Sequence, residues 1–149
     1  MAVHTYDPSQ AILAVNGIPI SGYSDGTGIK VSRSNDMYTK KTGMDGVTSR
    51  AKSSDRSGEI VITLAQTSPS NDVLSTLAVL DETANAGVIP VIVSDLSGRS
   101  IHASSSAWVR KSADAEYGKD ISDRQWTIDC TDLTMFVGGN PADTIYKDI

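Results

Sequence analysis

The sequence predicts a mainly β fold, a two-sheet β-sandwich or partly closed barrel, with one flanking α-helix and a long protruding loop. Three observations predict it. In most segments of the 149-residue chain apolar residues alternate with polar ones, the period-2 pattern of half-buried strands. Only one stretch, through Val73, Leu74, Leu77 and Ala78, places them at helical spacing. A polar stretch from Ser34 to Ser57 holds too few apolar side chains to anchor it to a core. Strands, one helix and strands again fit packed sheets with a helix at one side.

Ala11-Ile12-Leu13-Ala14-Val15 is an apolar run that ends at Asn16-Gly17, two residues suited to the positive φ angles of a tight hairpin. Ile18-Pro19-Ile20 is the returning strand, and Pro19, which has no amide donor, confines it to an edge or a short length. Gly22 to Gly28 reads as a turn. Ile29 and Val31 alternate with Lys30 and Ser32. In the polar stretch one turn, Met44-Asp45-Gly46, separates Met37 to Thr42 from Val47 to Lys52, and the two flanks can pair as a long hairpin. A segment of this kind is either mobile or ordered by a partner.

Glu59 to Gln66 is a strand with Ile60, Ile62 and Leu64 on one face and Val61, Thr63 and Ala65 on the other. A helix follows over about 69–86. Ser68 caps it, Pro69 suits its first position, and Asp72 complements the positive end of its dipole. Gly87 is its expected stop. Val88 to Val93 is apolar on both faces, which predicts a central strand covered on both sides. Asp95 to Gly98 turns the chain.

Arg99 to Val109 alternates, with Ile101, Ala103, Ser105, Ala107 and Val109 on one face and His102, Ser104, Ser106 and Trp108 on the other. A polar, acidic loop from Lys111 to Asp123 leads to the last strand, Gln125 to Val137. There Trp126, Ile128 and Cys130 share a face, and Leu133, Met135 and Val137 take the opposite phase. That slip places a bulge or bend near Asp132. A tail over about 139–149 ends the chain.

The length suits a single domain over 1–149, able to bury roughly 70% of its unfolded surface. No apolar run approaches the roughly 20 residues of a membrane span, so no membrane insertion is expected. Met1 to Asp7 has neither the basic start nor the apolar core of a signal peptide, which points to a chain made and used in a cytoplasm. Cys130, the one cysteine, reads as a small buried hydrophobe. A net charge of −5 argues against a general nucleic-acid binder.

The charge is unevenly spread. Arg33, Lys40, Lys41, Arg50, Lys52 and Arg56 stand against Asp36, Asp45 and Asp55, so residues 33–56 carry a net +3 and the rest a net −8. A basic segment on an acidic body is self-complementary and steers like subunits together.

Catalytic signals are absent. His4, His102 and Cys130 lack the spacing of a zinc site. No G-x-S-x-G elbow is present, and Cys130 reads as a packed thiol rather than the partner of His102. Asp25-Gly26-Thr27-Gly28 is not followed by the G-K-[ST] of a phosphate loop. Asp114, Glu116, Asp120 and Asp123 miss calcium-loop spacing, because Gly118 falls fifth from Asp114 and Lys119 intrudes. The sequence therefore predicts no catalytic residue, no metal ligand, no cofactor and no enzyme.

Several stretches together carry a resemblance. Thr5-Tyr6-Asp7-Pro8-Ser9-Gln10 runs into the hairpin Val15 to Tyr23; Gly43-Met44-Asp45-Gly46 follows; Asp55-Arg56-Ser57-Gly58 leads into Ile60 to Leu64; and Gln66-Thr67-Ser68-Pro69-Ser70-Asn71-Asp72 opens the helix. This combination resembles the tail tube proteins of contractile-tailed bacteriophages. The resemblance implies a fold shared with the tube subunit of type VI secretion systems, a barrel-like sandwich flanked by one helix. It also implies hexameric rings closed by sheet-edge pairing and stacked into a tube. The lumen would carry the tape-measure protein and then phage DNA, without sequence preference. A tail sheath protein would surround the tube, and baseplate and tail-terminator proteins would meet its ends. The protein would sit in the virion tail after assembly in the cytoplasm of the infected bacterium.

In such proteins the long early loop reaches a neighbouring subunit or ring. Here that role falls to Arg33, Asp36, Met37, Tyr38, Lys40, Lys41, Met44, Asp45, Arg50, Lys52, Asp55 and Arg56. An acidic lumen would repel phosphates and let DNA slide, and Gln125, Thr127 and Asp129, on the polar face of the last strand, are the lumen candidates. The alternatives are a type VI secretion-like or other contractile-injection-system tube protein and, from another class, a small ligand-binding β-domain.

Overall fold

The computed structural model describes residues 3–140 and 142–143. Most of the tail expected over 139–149 therefore lies outside the described residues. The chain enters through β1 (Val3–His4) and a 3-10 turn at Pro8–Gln10, where the Asp7 carboxylate accepts from Ser9 N at 3.0 Å. β2 (Ala11–Val15) and β3 (Ile18–Pro19) form a hairpin through Asn16 at φ 52° and Gly17 at φ 79°, both left-handed. Then come β4 (Ile29–Arg33), β5 (Tyr38–Thr42), β6 (Thr48–Lys52) and β7 (Gly58–Ala65). One helix, α1 (Ser70–Ala84), precedes β8 (Ile89–Asp95), β9 (Ile101–Lys111), β10 (Asp123–Cys130), β11 (Leu133–Phe136) and β12 (Ala142–Asp143).

The main sheet is antiparallel, ordered β3-β2-β8-β9-β10-β7-β4, with β11 also paired to β9. The sheet is thus one continuous ladder, carried around by β9, which meets β11 with its first half and β10 with its second. The ladder is also tied across its ends. Ile20 N donates to Leu13 O in β2 at 2.9 Å, and Ala65 N of β7 donates to Gly22 O at 2.9 Å. Tyr23 then bridges Leu64. Gly22 to Gly28 is therefore no free turn; it begins as the crossing that closes the barrel. Gly22 has φ 77°, and an added Cβ would lie 2.7 Å from the Cβ of Ser68, so only glycine fits.

Alternation carries the core inside this barrel. Leu13 and Val15, Ile60, Ile62 and Leu64, Ile89, Val91 and Val93, and Trp126, Ile128 and Cys130 all face inward. Leu74 and Leu77 of α1 join them. The helix starts one residue later than its sequence signals, with Pro69 at the cap position and Ser70 first in the helix; the Ser68 hydroxyl still accepts from Ser70 N at 3.2 Å and donates to Ser21 O at 2.5 Å. Asn71 adds a knot. Its Nδ2 donates to Ala65 O at 3.0 Å and Ser68 O at 3.1 Å, while its Oδ1 accepts from Trp126 Nε1 at 3.0 Å. The helix stops at Asn85, with φ 52°, and not at Gly87.

Two further expectations change. β8 is covered on its inner side only: Ile89, Val91 and Val93 are buried, but Ile92 is 41% exposed. The helix packs its core side chains into the barrel, so it leaves the outer side of β8 bare. β9 does not keep one phase. Val91 pairs with Ser104, whereas Ile89 pairs with Ala107, so two residues of β8 span three of β9. This bulge turns His102 and Ser104 inward before it and Ala107 and Val109 inward after it. The phase change near Asp132 is present as the break between β10 and β11, and Cys130 and Leu133 are both buried across it.

Candidate assembly surfaces

The polar stretch from Ser34 to Ser57 forms a hairpin that stands off the barrel. β5 and β6 make a separate two-stranded sheet, with Tyr38 opposite Lys52 and Thr42 opposite Thr48. Every residue from Tyr38 to Lys52 is exposed. Strand alternation puts Tyr38, Lys40, Arg50 and Lys52 on one face. The Arg50 guanidinium stacks over the Tyr38 ring at 4.2 Å. Along this face runs a trough of about 590 Å³, lined by Tyr38, Thr39, Lys40, Thr48 and Arg50. At the tip, Asp45 Oδ1 accepts from Val47 N at 3.2 Å and leaves Met44 wholly in solvent. Lys40, Lys41, Arg50 and Lys52 outnumber the single carboxylate, Asp45. Among the described residues none of these four cations has an ion-pair partner.

The other sequence-selected loop residues hold the base. Arg33 Nη2 donates to Leu133 O at 2.8 Å. Arg56 pairs with Asp132 at 3.3 Å, and its carbonyl accepts from Leu133 N at 2.9 Å. Asp55 accepts from Ser57 N at 3.0 Å and also from Asn35 Nδ2. Hydrogen bonds from Ser57 foremost hold its carboxyl below the usual range. Asp36 is exposed where the hairpin leaves the base, and Met37 is exposed beside it, its carbonyl accepting from Ser53 N at 2.9 Å. The twelve residues therefore divide into a base fixed to β11 and a projecting arm.

Gln125, Thr127 and Asp129 lie on the outer face of β10, opposite Thr63, Val61 and Glu59 of β7. Glu59 and Asp129 are like charges directly opposed, a destabilising pair unless something bridges them. Arg110 bridges them: its Nε donates to Asp129 Oδ1 at 2.9 Å and its Nη2 to Glu59 Oε2 at 2.7 Å. Hydrogen bonds to Asp129, then to Glu59, raise the Arg110 pKa, so the guanidinium stays charged. Lys30 lies opposite Val61 on β4 and Trp108 opposite Asp129 on β9, so the charges on this face nearly cancel.

A second outer face is apolar, and pattern reading did not find it. Ile12, Ser94, Ile101 and Phe136 are ladder neighbours across β2, β8, β9 and β11, as are Ala14, Ile92, Ala103 and Thr134. The large apolar members are all exposed. Their signal was the two-sided apolarity of Val88 to Val93, which reports that a strand is covered but not by which chain.

The acidic loop after β9 is held down by Arg124, which is buried. Its Nη1 donates to Ser122 Oγ at 2.6 Å and its Nη2 to Glu116 O at 3.1 Å. Cys130 and His102 do not meet as a dyad. Cys130 lies opposite Ala107 and His102 opposite Met135, five residues apart along β9, roughly 16 Å at strand rise. Burial pushes the Cys130 thiol up to about 11, away from a reactive thiolate.

Residues 9–138 match the family described as the bacteriophage PhiTE tail tube protein. Structural protein ORF10 of Pseudomonas phage KPP10 is 31% identical over 144 residues, covering 91% of this chain and 83% of that one. Among solved structures, the anti-feeding prophage cap, a tube terminating cap, aligns at TM-score 0.63 and 9% identity, over 91% of this chain and 93% of its own. The PVC sheath/tube terminator of an extracellular contractile injection system aligns at TM-score 0.58 and 12% identity, over 90% and 98%. A PVC sheath-tube complex chain aligns at TM-score 0.59 and 12% identity, over 89% and 91%. At these identities the likeness is one of fold.

Proposed function

The chain belongs to the bacteriophage PhiTE tail tube protein family, a family of structural proteins and not an enzyme class, and from that premise we propose that it is the repeating subunit of a phage tail tube. Copies close into six-membered rings, and the rings stack around a channel that carries the tape-measure protein and then DNA. A sheath surrounds the tube, and baseplate and terminator proteins meet its ends. The tube is assembled in the infected cell and belongs to the virion tail.

The observation that carries this reading is the hairpin. A two-stranded hairpin alone is marginal in water, and this one is exposed on both faces with its cations unpaired. A neighbouring copy supplies what it lacks, because the rest of the chain is acidic. Met37 to Lys52 reach that neighbour, while Arg33, Asp55 and Arg56 set the angle of the arm.

Gln125, Thr127 and Asp129 line the lumen, where an amide, a hydroxyl and a closed ion triad offer phosphates no net attraction. Tube and terminator subunits share this fold, and the family match over residues 9–138 favours the tube. Sedimentation and negative-stain imaging of the purified chain test the proposal. Rings or tubes are expected; a strict monomer at every concentration and salt would rule it out.

A further inference from the structure

Two apolar surfaces have no cover among the described residues. One is the outer side of β2, β8, β9 and β11, where Ile12, Ile92, Ile101 and Phe136 stand exposed on neighbouring strands. The other is the outer side of α1. At about 100° per residue, Thr76, Val79, Leu80 and Thr83 fall within one arc, with Asp72 at its N-terminal end, and this arc is turned away from the buried Leu74 and Leu77. Val79 and Leu80 are exposed. The threonines add methyl groups to this stripe, because their hydroxyls turn back on the helix. Thr76 Oγ1 donates to Asp72 O at 2.7 Å and Thr83 Oγ1 to Val79 O at 2.7 Å.

An apolar helix stripe and an apolar sheet face are the two halves of an ordinary packed layer. They cannot meet within one chain, since α1 already turns its other side into the barrel. Their sizes agree. Fifteen helical residues are about 22 Å long, and four neighbouring strands make a face about 19 Å wide. Neither surface has a charge at its centre. Asp72 closes the N-terminal end of the helix stripe and Glu82 flanks it, while Arg99 stands exposed at the Ile101 end of the sheet face, so these edge charges are opposite in sign. The outer apolarity of β8 then has a purpose: its second cover comes from another copy.

The geometry points to a head-to-tail contact in which the outer stripe of α1 of one copy lies on the β2-β8-β9-β11 face of the next, a contact that rests on the tube-subunit function proposed above. Two different surfaces make a heterologous interface, which closes into a ring when the rotation allows; a self-complementary face would stop at a dimer.

Cysteine cross-linking tests the pairing. Val79→Cys and Ile92→Cys are made in separate chains and treated with a short bis-maleimide under conditions where imaging shows rings or tubes. The buried Cys130 is the internal control, in unsubstituted protein. Mixing the two variants should give a covalent dimer, neither variant alone should link, and the double variant should give a ladder of oligomers. Linking of Ile92→Cys with itself, or no link in a mixture that forms tubes, overturns the contact and leaves the tube function standing. Failure of the unsubstituted chain to assemble removes that function, and this contact with it. As a second variant, Val79→Arg places a charge on an exposed position. It should keep the circular dichroism of the parent and lose at least tenfold in assembled mass. Tubes at parental yield overturn the contact.

Discussion

Replacing Asn71 with alanine should destabilise the barrel out of proportion to the side chain lost. Trp126 is 3% exposed, and its Nε1 donates to Asn71 Oδ1 at 3.0 Å. Alanine strands that donor in the interior, which costs about 1–3 kcal/mol. The bonds from Nδ2 to the carbonyls of Ala65 and Ser68 are lost as well, at about 0.5–1.5 kcal/mol each. The better helix propensity of alanine returns about 0.6 kcal/mol. A net loss of about 1.5–5.5 kcal/mol follows.

Urea unfolding followed by circular dichroism measures it, at protein concentrations where the midpoint does not move, because assembly would add apparent stability. A double-mutant cycle isolates the cause. Trp126→Phe has no N–H to strand, so Asn71→Ala should cost less in that background, with a coupling of about 1–2 kcal/mol. Additive losses, or a loss below about 0.5 kcal/mol for Asn71→Ala, would refute the reasoning.

Three further outcomes are expected. Removing Asp36 to Arg56 should leave a folded barrel that no longer polymerises, since the chain leaves and returns at Ser34 and Ser57, whose backbones bond at 3.1 Å; normal tubes from the deletion would end the role given to the hairpin. Gly22→Ala sets a Cβ against Ser68 at positive φ and should cost about 2–4 kcal/mol of unfolding free energy; an unchanged thermal midpoint would show that the crossing yields. The Cys130 thiol, raised to about 11 by burial, holds its proton more tightly folded than unfolded. Its contribution is therefore full below its ordinary value of 9.0 and is lost as pH rises through 11. The folded thiol should react with iodoacetamide at pH 8 at least tenfold more slowly than in urea, and Cys130→Ala should flatten the alkaline loss of stability; equal rates would contradict the burial.

Local chemistry was legible in the sequence, and pairing between distant segments was not. Asn16-Gly17 specified its hairpin, Ser68 and Asp72 the helix start, and the turn at Met44 to Gly46 the projecting arm, because each acts within a few residues. The barrel closure at Gly22 depends on β7, some forty residues later, and leaves only a glycine behind. The β9 bulge passes through Ser105 and Ser106, which suit either face, so alternation reads straight through it. Asn85 in place of Gly87 as the stop reflects how readily asparagine takes positive φ. The ion triad joins Arg110 to residues 51 and 19 positions away, beyond any spacing rule. The outer face of β8 was visible as apolar, but its lack of cover among the described residues depends on where every other strand lies.

The most direct measurement is a cryo-EM map of tubes formed by the purified chain. The account predicts six copies per ring around an open channel, with Met37 to Lys52 of each copy buried against another. Hairpins standing free in solvent between otherwise ordered subunits would contradict it.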